Sequence, residues 1–159
     1  MQRVKLDHID RRILCDLQNN GRMTNVELAQ RVGISAPPCL RRVRALEKAG
    51  YIEGYQAKIN GSRLDYKEMF FALVGLNSQA QSVLQGFESR MKAWPEIREC
   101  HMIRGGGDFL LKIVAKDKQQ RDTITMEITK ATHVSTVTTF ETIRTAKELS
   151  GIPMDEVWR

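Results

Sequence analysis

Residues 24–50 read TNVELAQRVGISAPPCLRRVRALEKAG. The spacing predicts two short helices joined by a tight turn. Thr24, followed three residues later by Glu27, is a capping-box signature for the first helix. Leu28, Ala29 and Val32 give that helix an apolar face, and Gly33 supplies the turn. Ser35 then caps a second helix, with Pro37 and Pro38 in its first turn, where a missing N–H matters least. Cys39, Val43 and Leu46 recur at helical spacing on the inner side. Arg41, Arg42, Arg44 and Lys48 fall between them and point outward, and Gly50 ends the helix.

This is the pattern of a helix-turn-helix, in which the N-terminal part of the second helix meets base edges in the major groove. That assigns Ser35, Ala36, Pro37 and Pro38 to the bases, with Arg41 following. Arg42, Arg44 and Lys48 are assigned to phosphates, which position a protein without reading sequence. Thr24 and Asn25 complete the candidate DNA surface. The proline pair offers few donors, so modest base readout and some reliance on DNA shape are expected.

Charge agrees with this placement. The 159-residue chain carries a net charge of +6. Residues 1–60 hold 11 Lys and Arg against 6 Asp and Glu, while residues 61–159 hold 14 against 13. The basic excess lies with the helix-turn-helix, as a nucleic-acid footprint should. No apolar run approaches the ~20 residues that cross a bilayer. The charged start MQRVKLDHIDRR lacks a signal-peptide core, so a cytoplasmic protein with no membrane partner is expected. Cys15, Cys39 and Cys100 are too few and too widely spaced for a disulfide framework, and each reads as a buried thiol.

A further helix is expected over about 7–19, with Ile9, Ile13, Leu14 and Leu17 inward. YIEGYQAKIN (51–60) reads as a wing or connecting strand pair, and 61–68 as a linker. The predicted domains are therefore 1–60 and 69–159. The second half has another rhythm: a strand at 69–77, a helix near 80–92, strands at 97–104 and 108–115, a helix near 118–131 and a strand at 135–144. The order βαββαβ is ferredoxin-like, so the fold class is α+β. Two helices cover one face of such a sheet. The strand over Met69 to Leu76 is apolar on nearly every residue, as in strands buried on both faces. A second copy of the chain is the simplest cover for the other face, and a two-fold dimer would suit a palindromic site.

Arg104, Gly105, Gly106, Gly107 and Asp108 join two of these strands. The glycines can turn successive N–H groups inward as a cradle for an anion, and Asp108 could take a cation. Together they suit the carboxylate and ammonium of an amino acid. A plain hairpin turn with a flexible tip remains an equal alternative. No phosphate-loop pattern is present.

LDHIDRRILCDLQNNGRMTNVELAQRVGISAPPCLRRVRALEKAGYIEGY together with IRECHMIRGGGDFLLKIVAKD resembles the leucine-responsive (Lrp/AsnC, or feast/famine) family of bacterial transcription regulators. The resemblance runs from Leu6 to about Lys147. It implies an N-terminal winged helix-turn-helix and a C-terminal ferredoxin-like ligand-sensing domain. It further implies binding to double-stranded operator DNA, and homodimers that assemble into octamers or similar. Amino-acid effectors are implied near the loop that is Gly105, Gly106, Gly107 and Asp108 here. Family members commonly carry Gly-Asp-x-Asp in that loop, so Gly106 stands where an acidic residue is usual. Thr139 matches a threonine that often lines the pocket. Thr132 and His133 replace the usual Pro-Gly before the last strand.

No enzyme is expected. Glu99, Cys100 and His101 lie in one strand, where neighbours face opposite ways and cannot converge on a metal. No nucleophile–base pattern stands out, and neither a metal nor a cofactor is expected. Two alternatives keep the same architecture: a ligand-independent architectural DNA-binding protein, and an enzyme resembling siroheme decarboxylases. The arginine-rich second helix speaks against the latter.

Overall fold

The computed structural model describes residues 5–149 and 151–154. The chain divides into two compact units, with boundaries at Lys58/Ile59 and Ala146/Lys147.

The first unit is built on three helices: α1 (His8–Asn19), α2 (Asn25–Val32) and α3 (Ala36–Lys48). Two of them begin with reciprocal caps. Asp7 accepts the N–H of Asp10 at 2.8 Å while Asp10 accepts that of Asp7 at 3.2 Å. Thr24 and Glu27 do the same for α2. Each pair satisfies N–H groups that a helix start otherwise leaves bare. Ser35 departs from expectation. It has N-cap backbone angles, but its side chain makes no capping bond; the second and third residues of α3 are prolines, which have no N–H to offer. Gly33 (φ +76) turns the chain after α2, and Gly50 (φ +75) follows α3. Both are left-handed positions where a Cβ would be strained. Ile13, Leu28, Ala29, Val32, Cys39 and Leu46 form the core.

Residues 51–60 form no strand, which corrects the expected strand pair. Apart from Ile52 the segment is exposed, and two lone strands without an apolar face are at best marginal in water. Tyr55 instead donates its hydroxyl to Glu47 at 3.0 Å. The chain after Ala146 also departs from expectation: its described residues group with the first unit and not with the sheet.

In the second unit a short 3-10 turn (Gly61–Leu64) precedes β1 (Glu68–Leu76), α4 (Gln81–Lys92), β2 (Ile97–Met102), β3 (Phe109–Ala115), α5 (Lys118–Thr129) and β4 (Val134–Glu141). The sheet order is β2-β3-β1-β4, with every neighbouring pair antiparallel. Ala72 lies between Leu111 and Thr139. Alternation decides what is covered. Phe70, Ala72, Val74, Phe109, Leu111 and Ile113 are buried with Phe87, Met91, Ile124 and Ile128 of the helices. Each such side chain other than Ala72 contributes roughly 1.5–3 kcal/mol. Phe71, Leu73, Leu110 and Val114 alternate with these and are only half-buried, and Phe140 is 50% exposed. His133 takes φ +70 before β4, a conformation that glycine adopts without strain. Its carbonyl and ring are held by Asn77.

Candidate DNA-reading head and ligand loop

The α2–turn–α3 geometry is fixed by three local interactions. Ile34 N–H donates to Ala29 O at 3.0 Å across the turn. Asn25 Nδ2 donates to Ala36 O at 2.8 Å, tying the start of α2 to the start of α3. Thr24 is engaged with Glu27 through both backbone and hydroxyl. Thr24 and Asn25 therefore orient the helices, and Ser35 and Pro37 remain exposed at the tip of α3, with Ala36 and Pro38 half-buried.

The four cations of α3 part company. Arg41, Arg44 and Lys48 are exposed, recur along one stripe, and have no ion-pair partner among the described residues. Arg42 does not share that face. Its Nη1 lies 2.7 Å from Asp7 Oδ2 and 2.7 Å from Asp10 Oδ1. The guanidinium thus closes α3 onto the cap of α1, and its pKa is pushed up by Asp10 first and Asp7 second. The Asp7 carboxyl is held down, most by the Asp10 N–H and further by Arg42. The outward Arg42 expected from helical spacing is thus corrected: its neighbour in space is an aspartate pair 32 and 35 residues away. The hint in the sequence was Asp7 and Asp10 at capping spacing.

The loop between β2 and β3 is closed by Ile103 N–H to Asp108 O at 2.9 Å. Gly105 has φ +139. Gly107 is packed so that a Cβ would lie 2.9 Å from Leu73 Cδ1 and 3.1 Å from Val74 O. Gly106 is open, its nearest such neighbour Leu73 Cδ2 at 3.8 Å. The N–H groups of the three glycines make no backbone hydrogen bond among the described residues. Asp108 is committed inward. Oδ2 accepts the Leu76 N–H at 2.6 Å and Oδ1 accepts Gln79 Nε2 at 2.6 Å, so the carboxylate locks the end of β1 and the start of the α4 connection. Leu76 and Gln79 carry no sequence signal for this role.

Thr139 is elsewhere in the chain. It pairs with Ala72 from the edge strand β4 and lines the cleft between β4 and α5 with Thr125, Met126 and Arg121. One chain does not bring it to the glycine loop. Cys15 and Cys39 are buried, but Cys100 is only half-buried, because β2 is an edge strand; burial still pushes its thiol pKa up. Glu99 bridges His101 at 3.1 Å and Lys112 at 3.0 Å on the face opposite Cys100. Among the described residues no group of three or more His, Cys, Asp or Glu side chains could hold a metal ion. No helix there is long and apolar enough to cross a membrane.

A basic helix-turn-helix unit followed by a separate α+β unit defines a DNA-binding transcription regulator with a ligand domain. Family comparison agrees at both ends. Residues 6–53 match a winged helix-turn-helix DNA-binding model and residues 69–152 match the Lrp/AsnC ligand binding domain. The chain belongs to the Lrp/AsnC family of transcription regulators. It is 51% identical over 147 residues to a leucine-responsive regulatory protein of Rhizobium meliloti, covering 92% of this chain and 94% of that one. Among solved structures, a transcriptional regulator of Neisseria meningitidis in complex with L-methionine matches with a TM-score of 0.90 at 30% identity, over 96% of this chain and 99% of the other. An AsnC family regulator of Agrobacterium tumefaciens matches with a TM-score of 0.88 at 26% identity, over 94% and 97%.

Proposed function

We propose that α3 enters the major groove of an operator, that two chains pair through the open sheet faces, and that an amino acid at the Gly105–Asp108 loop shifts the assembly or the head spacing. The carrying observation is the stripe of Arg41, Arg44 and Lys48, exposed and unpaired among the described residues, on a helix whose other faces are occupied by core and by the Arg42 anchor. Three solvated cations on one face suit a phosphate backbone. Ser35 and Pro37 at the helix tip then face the bases. Half-buried Phe71, Leu73, Leu110 and Val114 favour a second sheet as cover, since large apolar patches seldom stay open.

For the effector, the uncommitted glycine N–H groups suit a carboxylate, and the similar Neisseria regulator was solved with L-methionine. A ligand acts as a regulator only if it prefers one assembly over another. The test is a melting-temperature screen against the twenty amino acids, with sedimentation of any hit and the same screen on Asp108→Ala. A stabiliser that also changes the oligomer, and has no effect on Asp108→Ala, is the expected result. No shift at millimolar concentration would favour the second reading, a ligand-independent DNA organiser. One observation supports that reading: both Asp108 oxygens are already occupied, and Gly106 offers no carboxylate in their place.

A further inference from the structure

We infer that the described residues after Ala146, 147–149 and 151–154, are a strap that docks in cis on the DNA-reading unit and acts as its second tether. The chain passes between the two units twice, at Lys58/Ile59 and at Ala146/Lys147. One crossing would suffice to keep the head attached. The second ends in a fitted dock. Gln18, in the last turn of α1, grips both backbone groups of one residue: its Nε2 donates to Ile152 O at 2.8 Å, and the Ile152 N–H donates to its Oε1 at 3.1 Å. A primary amide carries the paired donor and acceptor that this needs.

Gly151 is what lets the amide approach. It sits at φ +85, and a Cβ there would fall 2.3 Å from Gln18 Oε1. Lys58, at the first crossing, pairs with Glu148 just past the second, at 2.9 Å. Ile152 and Pro153 border a groove whose other wall includes Leu14, Leu17, Ile52 and Tyr55. Ile152 is nevertheless 66% exposed. The dock thus rests on two hydrogen bonds, an exposed ion pair and partial apolar cover. Interactions of that kind open locally at low free energy and are readily biased.

The consequence lies in entropy. A head on a single connection must be restrained when two heads meet two half-sites, and that restraint weakens binding. A strapped head is restrained beforehand. Among the described residues no hydrogen bond or ion pair joins the strap to the α3 cations, so it changes the affinity for a duplex with two half-sites without changing the number of phosphates neutralised. This rests on the two-headed reading proposed above.

The test uses the full chain, Gln18→Ala, Gly151→Val and a chain ending at Ala146. Hydrogen exchange comes first: the Ile152 amide is protected in the wild type and exchanges freely in Gln18→Ala. An unprotected wild-type amide overturns the dock, and protection that vanishes on dilution places the strap on another copy and overturns docking in cis. DNA binding follows, on a duplex selected from a random pool by the wild type. All three variants bind the two-half-site duplex about tenfold more weakly, with single-half-site affinity and salt slope unchanged. Equal affinity overturns the tether. A peptide of residues 147–154, added to the truncated chain, does not restore binding; restoration would mean that filling the groove is sufficient, and overturns it too. A wild type that selects no duplex would overturn the two-headed reading and the tether with it, while exchange still decides the dock.

Discussion

Arg42 Nη1 stands 2.7 Å from Asp10 Oδ1, and Asp10 is itself half of the cap that starts α1. A cation on the reading helix is therefore part of the joint that holds that helix in place. Asp10 is largely shielded, with 14% of its side chain exposed, and Arg42 shows 33%. Truncating Arg42 leaves a partly buried carboxylate without its partner, which is the costly half of breaking an ion pair.

Arg42→Ala is accordingly expected to destabilise the first unit by about 1–2 kcal/mol, after allowance for solvent screening. Calorimetry on the full chain should show a lower melting temperature for one transition. An unchanged transition would mean that the joint contributes nothing.

Acid should act on the same joint. The Asp7 carboxyl titrates below its ordinary value, chiefly because it accepts the Asp10 N–H and then because Arg42 is beside it. Its folded pKa lies below the unfolded value of about 3.9. Its stabilisation is therefore present above that value and is lost as pH falls through the lowered folded pKa. The first unit's melting temperature should drop below about pH 4, and Asp7→Asn should flatten that drop. Equal acid profiles for the two proteins would count against it.

Arg44→Ala should behave in the opposite way. Arg44 is exposed on α3, so stability should change by less than about 0.5 kcal/mol. Binding to duplex DNA should weaken, and the slope of log affinity against log salt should shrink by about 0.9, because one phosphate fewer is neutralised. A slope identical to wild type would remove Arg44 from the interface.

The glycine loop allows a paired experiment. At Gly106 a Cβ would make only an ordinary contact with Leu73, whereas at Gly107 it would press on Leu73 and on the Val74 carbonyl. Gly106→Asp should fold with a change under about 0.5 kcal/mol and tighten the binding of L-methionine or L-leucine measured by calorimetry, since it adds a partner for an ammonium group. Gly107→Ala should lose about 1–3 kcal/mol through overpacking. Weaker amino-acid binding by Gly106→Asp would show that no ammonium sits near residue 106.

Much of the fold was legible because its signals are local. Thr24 and Glu27 lie within one helical turn of each other and announce a helix start whatever surrounds them; Asp7 and Asp10 have the same spacing, but only the structure shows their cap. Strand alternation put His101 opposite Cys100, but it could not say which of Phe109 to Ala115 face inward, since nearly all are apolar; packing against the helices decided for Phe109, Leu111 and Ile113. The expected strand pair over 51–60 is absent because Tyr51, Ile52 and Tyr55 favour a strand while nothing in the described chain offers them a ladder. Ser35 looked like a cap from its type alone, yet its side chain makes no capping bond.

The amino-acid sequence by itself determined what each segment is: helix, turn or strand, which residues face inward, and where positive charge gathers. Those follow from periodicity and from interactions three or four residues apart. The tertiary structure decided what the polar side chains do. Arg42, expected at phosphates, is held by aspartates on another helix, and Asp108, expected at a ligand, reaches into the end of β1, 32 residues earlier. Gln18 and Ile152 meet across 134 residues. A charged or amide side chain accepts whichever partner the fold brings within 3 Å or so, and periodicity in the sequence carries no record of that choice.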